Sequence, residues 1–567
     1  MKHAKLWSLL LLLLLLVLSV AVACGDETED GEDGTTAATE AVTTEGVTTD
    51  GTTTAPETEP PVGTPVGCFE HGNELVHRDR YEIKEQDSVA FSMAKNEIEG
   101  FQYIVVARDG NLSDVRCEVS TLTDGNGNTL DGTVYLAWDL YVQGVYGNYY
   151  PLSYGFTPCA LLEQDNPYQG GSFDLAAGRA KTVYVQYKTD ANTVPGVYTG
   201  TLEIKQGDEV VLSGSVSLTV WDIYYDESTE FLTLFQYGYV RTNYQDPAPA
   251  SAPDFRSNPE YYEMYADFLL ENRISPWFLP DQKELLGENP AKYMDNPRQT
   301  MVILKQGVYA KQYEVALAND WVDKCVFLFY DEPGEENHLS LVVGEAERLQ
   351  SKFPTTRIIT PLHADWLYAN GKNAIEYLST ASTLHCVKTA IYHDAIQETC
   401  ESLRDERGDT IMWYTCGDQP MGTIDLLTYV PGNYMRILIW QHYLYDIDGF
   451  LYYHTNEWHG LDDFWSPEYA ERKKFRHWNY PPTGMGYNVF WDPLTGEPVS
   501  SLIIEAVRDG IEDFQLMKMA EEVLGRDTVL SYVTRITTDL YTFEKDADVL
   551  EQVKTELAKA LLDATAA

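Results

Sequence analysis

Between Phe231 and Leu524 the apolar residues alternate between a period of two and a period of about 3.6, the strand and helix periods, and this alternation most constrains the fold. The run "FLTLFQYGY" precedes the helical "NPEYYEMYADFLLENR", then "ISPWFLP" follows, and "TMVILK" precedes "QGVYAKQYEVALAND". "CVFLFYDEP" leads into "HLSLVVGEAERLQSKF"; "RIITPLH", "STLHCVKTAI", "TIMWYTCG" and "DGFLYYHTN" come next, and the amphipathic "SSLIIEAVRDGIEDFQLMKMAEEVL" closes the series. Eight such units predict an α/β fold, a (β/α)8 TIM-type barrel over residues 227–525, whose chemistry sits where strands end and βα loops begin.

The preceding stretch, 68–226, reads differently. Short alternating segments such as "GFQYIVVARDG" and "KTVYVQYKTD", punctuated by Gly, Asn, Asp and Pro, predict antiparallel strands in a β-sandwich, with a tight hairpin at Gly207 and Asp208. Residues 526–567 are expected to form C-terminal helices packed on the barrel. At the other end, "MKHAKLWSLLLLLLLLVLSVAVACGDE" has the basic, apolar and small-residue layout of a secretory signal over 1–23. "AVAC" resembles the bacterial lipoprotein box, with Ala21 standing where leucine is usual, so Cys24 is the expected lipidation site. The acidic, Thr-rich 24–67 lacks apolar residues to bury and reads as a disordered tether. Together these features place the protein on a bacterial cell surface, held to the membrane through a lipid anchor only.

A formal charge of −48 argues against nucleic acid as a partner. The chain has 39 Tyr and 12 Trp, side chains that can stack on sugar rings as well as fill cores. Its eight cysteines are widely spaced with no CxxC, which excludes a zinc cluster and leaves room for one or two disulfides. His393 and Asp394 lack a third metal ligand at suitable spacing, so no metal is expected, and no cofactor either, since no Walker loop or dinucleotide fingerprint appears.

Asp331 and Glu332 close the fourth predicted strand, at the barrel's functional face. Side chains of neighbouring strand residues diverge, so the two do not readily straddle one carbon as a conventional glycosidase pair does. A different division suits them. Glu332 reaches the glycosidic oxygen as acid, and Asp331 holds a group of the substrate; a 2-acetamido group so oriented attacks the anomeric carbon itself. The motifs "FLFYDEP", "AKNEIEGFQYIVV", "VPGVYTGTLEI", "IMWYTCGDQP", "MRILIWQHYLYDIDGFLYYHTNEW" and "SSLIIEAVRDGIEDFQLM" resemble the family 123 glycoside hydrolases and the related domain of unknown function that shares their C-terminal half. The resemblance runs from about Phe91 to Leu524. It implies exo-acting, retaining β-N-acetylgalactosaminidase activity by the substrate-assisted route, with Asp331 as the acetamido-orienting residue and Glu332 as the acid/base.

Around the pair, His363 ends the fifth strand, Trp413 and Tyr414 the seventh, and Tyr453, Asn456 and Trp458 follow the eighth; all six are candidate substrate-binding residues. Only one of Trp413 and Tyr414 should face the site, because neighbours on a strand alternate. Glu505, Arg508, Asp509 and Glu512 have helical spacing and read as a salt-bridged helix surface packing the barrel bottom. Two other readings stay open: a glycan-binding lipoprotein without turnover, and a two-carboxylate glycosidase of other specificity that uses Asp365 or Glu457.

Overall fold

The computed structural model describes residues 63–143, 154–238, 250–417, 422–461, 464–470 and 484–566; the segment expected to be a signal sequence, Cys24 and most of the expected tether lie outside them. Among the described residues no helix is long and apolar enough to cross a membrane.

The first part of the chain is sandwich-like. One sheet runs, in order, Pro65–His71, Ile98–Ala107, Ala180–Lys188, Thr133–Gln143, Tyr154–Glu163. The other runs Ser88–Lys95, Glu209–Tyr224, Gly196–Gln206, Leu112–Val119, Phe173–Leu175. Val183, Val185 and Tyr187 of the first sheet meet Val89, Phe91 and Leu218 of the second in one core, as the two-residue repeat of a half-buried strand requires. The hairpin of Gly196–Gln206 and Glu209–Tyr224 pairs Gln206 with Glu209 across Gly207, whose φ of +58° suits the first position of a two-residue turn. One pairing departs from the antiparallel expectation: Ser88–Lys95 runs parallel to Glu209–Tyr224. At Asn96, with φ +63°, the chain leaves that sheet and returns as Ile98–Ala107 in the opposite one.

Beyond Asp226, parallel strands alternate with helices. Leu232–Phe235, Gly449–Tyr452, Thr410–Tyr414, Leu384–Lys388 and Pro361–Leu362 form one sheet, and Val302–Ile303, Cys325–Leu328 and Arg357–Ile359 another. Their alternate residues Leu234, Ile303, Val326, Ile359, Cys386, Met412, Tyr414 and Leu451 share one cluster with Trp277. Phe327, Ile411, Trp413, Phe450 and Tyr452 point the other way, into the layer of helices.

The helix Leu502–Leu524 joins the two halves. Ser501 caps it, its Oγ accepting the Ile504 N–H at 3.3 Å. Gly510 lets the helix Gly432–Tyr445 lie against it: a Cβ there would stand 2.7 Å from Ile439 Cγ1. On its other side the first sheet packs through its outward residues, with Gln186 Nε2 donating to Glu505 Oε2 at 2.7 Å. The charged cluster on this helix, expected to pack the barrel bottom, therefore packs against the sandwich as well. Glu505, Arg508, Asp509 and Glu512 are all buried, because sheet, helix and the C-terminal helix Ala547–Thr565 close over them.

That burial creates a network of charges. Lys554 Nζ of the C-terminal helix lies 2.7 Å from Glu97 Oε1 and 2.7 Å from Glu99 Oε2 of the sandwich. Arg436 bridges Glu99 at 3.0 Å and Asp513 at 2.6 Å, and Trp440 Nε1 donates to Asp513 at 2.8 Å. Burial raises the Glu99 carboxyl, but Arg436 and Lys554 more than offset it and hold Glu99 below the usual range. At Glu97, burial and then the charges of Glu512 and Glu99 outweigh Lys554 and push the carboxyl up to about 8. The last helix is thereby tied to the sandwich as well as to the helix Leu502–Leu524, a reach beyond the barrel-packed position expected for it. Among the described cysteines, Cys68, Cys117, Cys159, Cys325, Cys386 and Cys400 are not joined in disulfides, so the bridges that the sequence allowed do not form among them.

Candidate active site

The strand Cys325–Leu328 pairs with Val302–Ile303 on one side and Arg357–Ile359 on the other. Its ladder stops at Leu328, so Asp331 and Glu332 stand just beyond the strand, on the loop that follows its C-terminal end. Strand alternation therefore does not set their directions, contrary to the sequence argument. The backbone does: Glu332 has φ +49°, a left-handed conformation that a non-glycine residue adopts only when its surroundings hold it there. Asp331 is exposed and Glu332 half-buried.

Tyr414, the last residue of the strand Thr410–Tyr414, donates its hydroxyl to Glu332 Oε1 at 2.5 Å. Burial first, then the Glu332 charge, drives the Tyr414 phenol well above its ordinary range, so the phenol stays a donor. One oxygen of Glu332 is thus fixed, and the carboxyl is aimed from a known side. Cys386, buried in the strand Leu384–Lys388, has its thiol raised well above its ordinary value by burial and then by the charges of Asp331 and Glu332. Lys388 Nζ donates to Cys416 O at 2.6 Å, and Thr389 Oγ1 to Tyr414 O at 3.1 Å, bracing the ends of these two strands.

The other predicted residues divide. His363 is half-buried at the end of Pro361–Leu362, with its Nδ1 shielded and without a hydrogen-bond partner. Asn456 is buried; its Oδ1 accepts the Gly238 N–H at 3.0 Å, while Nδ2 has no partner. Tyr453 follows Gly449–Tyr452, half-buried, with its hydroxyl close against Gly486: a Cβ there would stand 2.9 Å from it. Two expectations fail. Trp413 lies on the helix side of its strand, its ring 4.9 Å from Tyr392 and 4.8 Å from His442, so it is core and Tyr414 alone of the two faces Glu332. Trp458 is also core, 5.0 Å from the Trp491 ring, with Nε1 donating to Val489 O at 2.8 Å.

Of the alternative second carboxylates, Asp365 is exposed and lies 3.8 Å from His393 Nε2, and Glu457 is buried 3.3 Å from His459 Nε2. His393 also pairs with Asp394 at 3.1 Å, and among the described residues no group of His, Cys, Asp or Glu could hold a metal ion. Sequence reasoning passed over Trp366 and Tyr368, exposed aromatics shortly after His363; their spacing of two was a legible signal.

Residues 254–520 match the family model described as glycoside hydrolase 123, catalytic domain. Among solved structures, a family 123 glycoside hydrolase from Clostridium perfringens, described in connection with glycolipid glycan hydrolysis, is similar with a TM-score of 0.59 at 10% identity, over 88% of this chain and 98% of that one. A family 39 glycoside hydrolase from Bacteroides cellulosilyticus has a TM-score of 0.23 at 10% identity, over 70% of this chain and 80% of that one. A family 5 xyloglucanase from Bacteroides ovatus has a TM-score of 0.22 at 9% identity, over 76% and 99%; both scores are too low to bear on the fold. No curated protein matches the sequence.

Proposed function

Since residues 254–520 are a glycoside hydrolase family 123 catalytic domain, we propose that this glycoside hydrolase removes a terminal N-acetyl-β-D-galactosamine from glycans by using the substrate's own acetamido oxygen as nucleophile. The observation that carries this reading is the adjacency of Asp331 and Glu332 past one parallel strand, with Tyr414 donating to Glu332. Asp331 accepts the acetamido N–H and orients its carbonyl oxygen. That oxygen attacks C1 as the C1–O glycosidic bond breaks, and Glu332 gives its proton to the departing oxygen. The product is an oxazolinium ion whose positive charge Asp331 stabilises. Water then adds to C1, its proton returns to Glu332, the ring opens to the acetamide, and configuration is retained.

Several pairings support reading the parallel segments as one closed (β/α)8 barrel. Leu232–Phe235 pairs with Gly449–Tyr452, Phe235 bridges Pro276, Ile303 N donates to Trp277 O at 2.9 Å, and Arg357–Ile359 runs on through Thr360 to Pro361–Leu362. The carboxylates then stand at the end of such a barrel that carries chemistry. A lipid on Cys24, with the following residues as tether, would hold the enzyme at a cell surface, where the glycans of glycolipids are within reach.

The substrate pair that tests the reading is an aryl 2-acetamido-2-deoxy-β-galactoside and its 2-hydroxy counterpart. The first is expected to turn over and the second to lose at least about 10³-fold in kcat/KM, since an intramolecular nucleophile contributes high effective molarity. Comparable turnover of the two rules out assistance by the acetamido group.

A further inference from the structure

The loop after His363 presents an aromatic surface that hydrolysis of a single sugar does not use. Trp366 is 64% exposed, the most exposed large apolar side chain among the described residues, and Tyr368 is 50% exposed. Leu367 and Ala369 between and beside them are buried, so the turn that carries Trp366 and the short strand that begins at Tyr368 both leave their rings to solvent. This segment is not a loose loop. Tyr368–Ala369 pairs antiparallel with Lys372–Asn373 across Asn370 and Gly371, with φ of +52° and +77°, the backbone of a type I′ hairpin. The Asn370 N–H donates to Glu336 Oε1 at 3.3 Å, four residues beyond Glu332, and Asp365 reaches His393 of the next βα loop. The hairpin is therefore tied through Asn370 to the start of the helix Glu336–Gln350, and the turn before it lies beside the next βα loop. His363 follows Pro361–Leu362, which continues through Thr360 from Arg357–Ile359, the strand paired with the one that leads to Asp331 and Glu332, and the three residues from His363 to Trp366 span at most about 10 Å.

We propose that Trp366 and Tyr368 form the platform on which the sugar next to the released unit stacks, so that the enzyme acts on the ends of neutral oligosaccharides. This rests on the function proposed above. Sugar rings offer apolar C–H faces that pack on aromatic rings, and rigid, pre-placed rings lose little freedom when they bind. The rim around them is acidic, with Asp331, Glu335, Glu336 and Asp365 exposed, so a sialylated or sulfated neighbour is disfavoured.

The test compares the full chain with its Trp366→Ala/Tyr368→Ala variant on two substrates. One is a neutral trisaccharide ending in the β-linked acetamido sugar, and the other is that sugar as its glycosyl fluoride, whose one-atom leaving group cannot reach a platform. The variant is expected to lose about 10-fold more kcat/KM on the trisaccharide than on the fluoride, with Trp366→Phe recovering part of the difference. Equal losses on both, or none on the trisaccharide, overturn the proposal. If the unaltered enzyme cleaves neither substrate, the hydrolytic reading has failed, and calorimetry decides the platform separately. Glu332→Gln protein is then expected to bind the trisaccharide about 10-fold more tightly than Glu332→Gln/Trp366→Ala, and equal or absent binding contradicts it.

Discussion

Glu332→Gln is expected to lower kcat/KM by about 10³-fold on a glycan with an unactivated leaving group, the range in which general acid catalysis lies. Glutamine keeps the shape and can still accept from the Tyr414 hydroxyl, but it has no acidic proton to give. The loss should shrink as the leaving group improves, because a nitrophenolate departs without protonation. Asp331→Asn acts on the earlier event, orientation of the acetamide and stabilisation of the cation, so its loss should be much the same for good and poor leaving groups. Kinetics on a series of aryl glycosides measures both slopes. A loss at Glu332 independent of leaving group would mean that Glu332 is not the acid, and no loss at all would remove it from the chemistry.

The second large effect concerns stability. Lys554→Met is expected to lower the free energy of unfolding by about 3–5 kcal/mol, as removal of one partner from a buried ion pair does. Its ammonium is fully buried between Glu97 and Glu99, and methionine fills most of its volume while leaving Glu97 without its cation and Glu99 with Arg436 only. Simultaneous Glu97→Gln should restore part of the loss, because burial already pushes that carboxyl up to about 8 and a neutral side chain suits the site. Denaturant titration of the single and double variants measures the coupling. A single variant within about 1 kcal/mol of the parent would show that the C-terminal helix does not depend on this contact.

What could be read in the sequence, and what could not, follows from the distances over which the physics acts. The alternation of strand and helix periods is local, and so is the doublet of Asp331 and Glu332 after an apolar run. Each survives in three dimensions because a few neighbours determine it. Trp413 and Trp458 were misplaced because aromatic character suits core and sugar alike, and which side of a strand faces the reacting centre depends on neighbours far along the chain. For Trp413 and Tyr414 alternation gave the correct form of the answer, one in and one out, without saying which. Glu505, Arg508, Asp509 and Glu512 have the spacing of a salt-bridged helix surface. Their burial depends on Arg273, Arg436, Lys554 and the sandwich acids, distant partners that no local pattern reveals. The left-handed backbone at Glu332 was equally invisible, since nothing in "FYDEP" demands it.

The substrate-assisted account rests on two neighbouring acids sharing one sugar, and a crystal of the full chain soaked with a thiazoline analogue of N-acetylgalactosamine examines that directly. The account predicts the thiazoline ring nitrogen within hydrogen-bonding distance of Asp331, with the Glu332 carboxyl on the side from which the aglycone leaves and still bonded to Tyr414. An analogue seated with Asp331 turned away from the ring, or with Asp365 or Glu457 facing the anomeric carbon in place of Glu332, would contradict it.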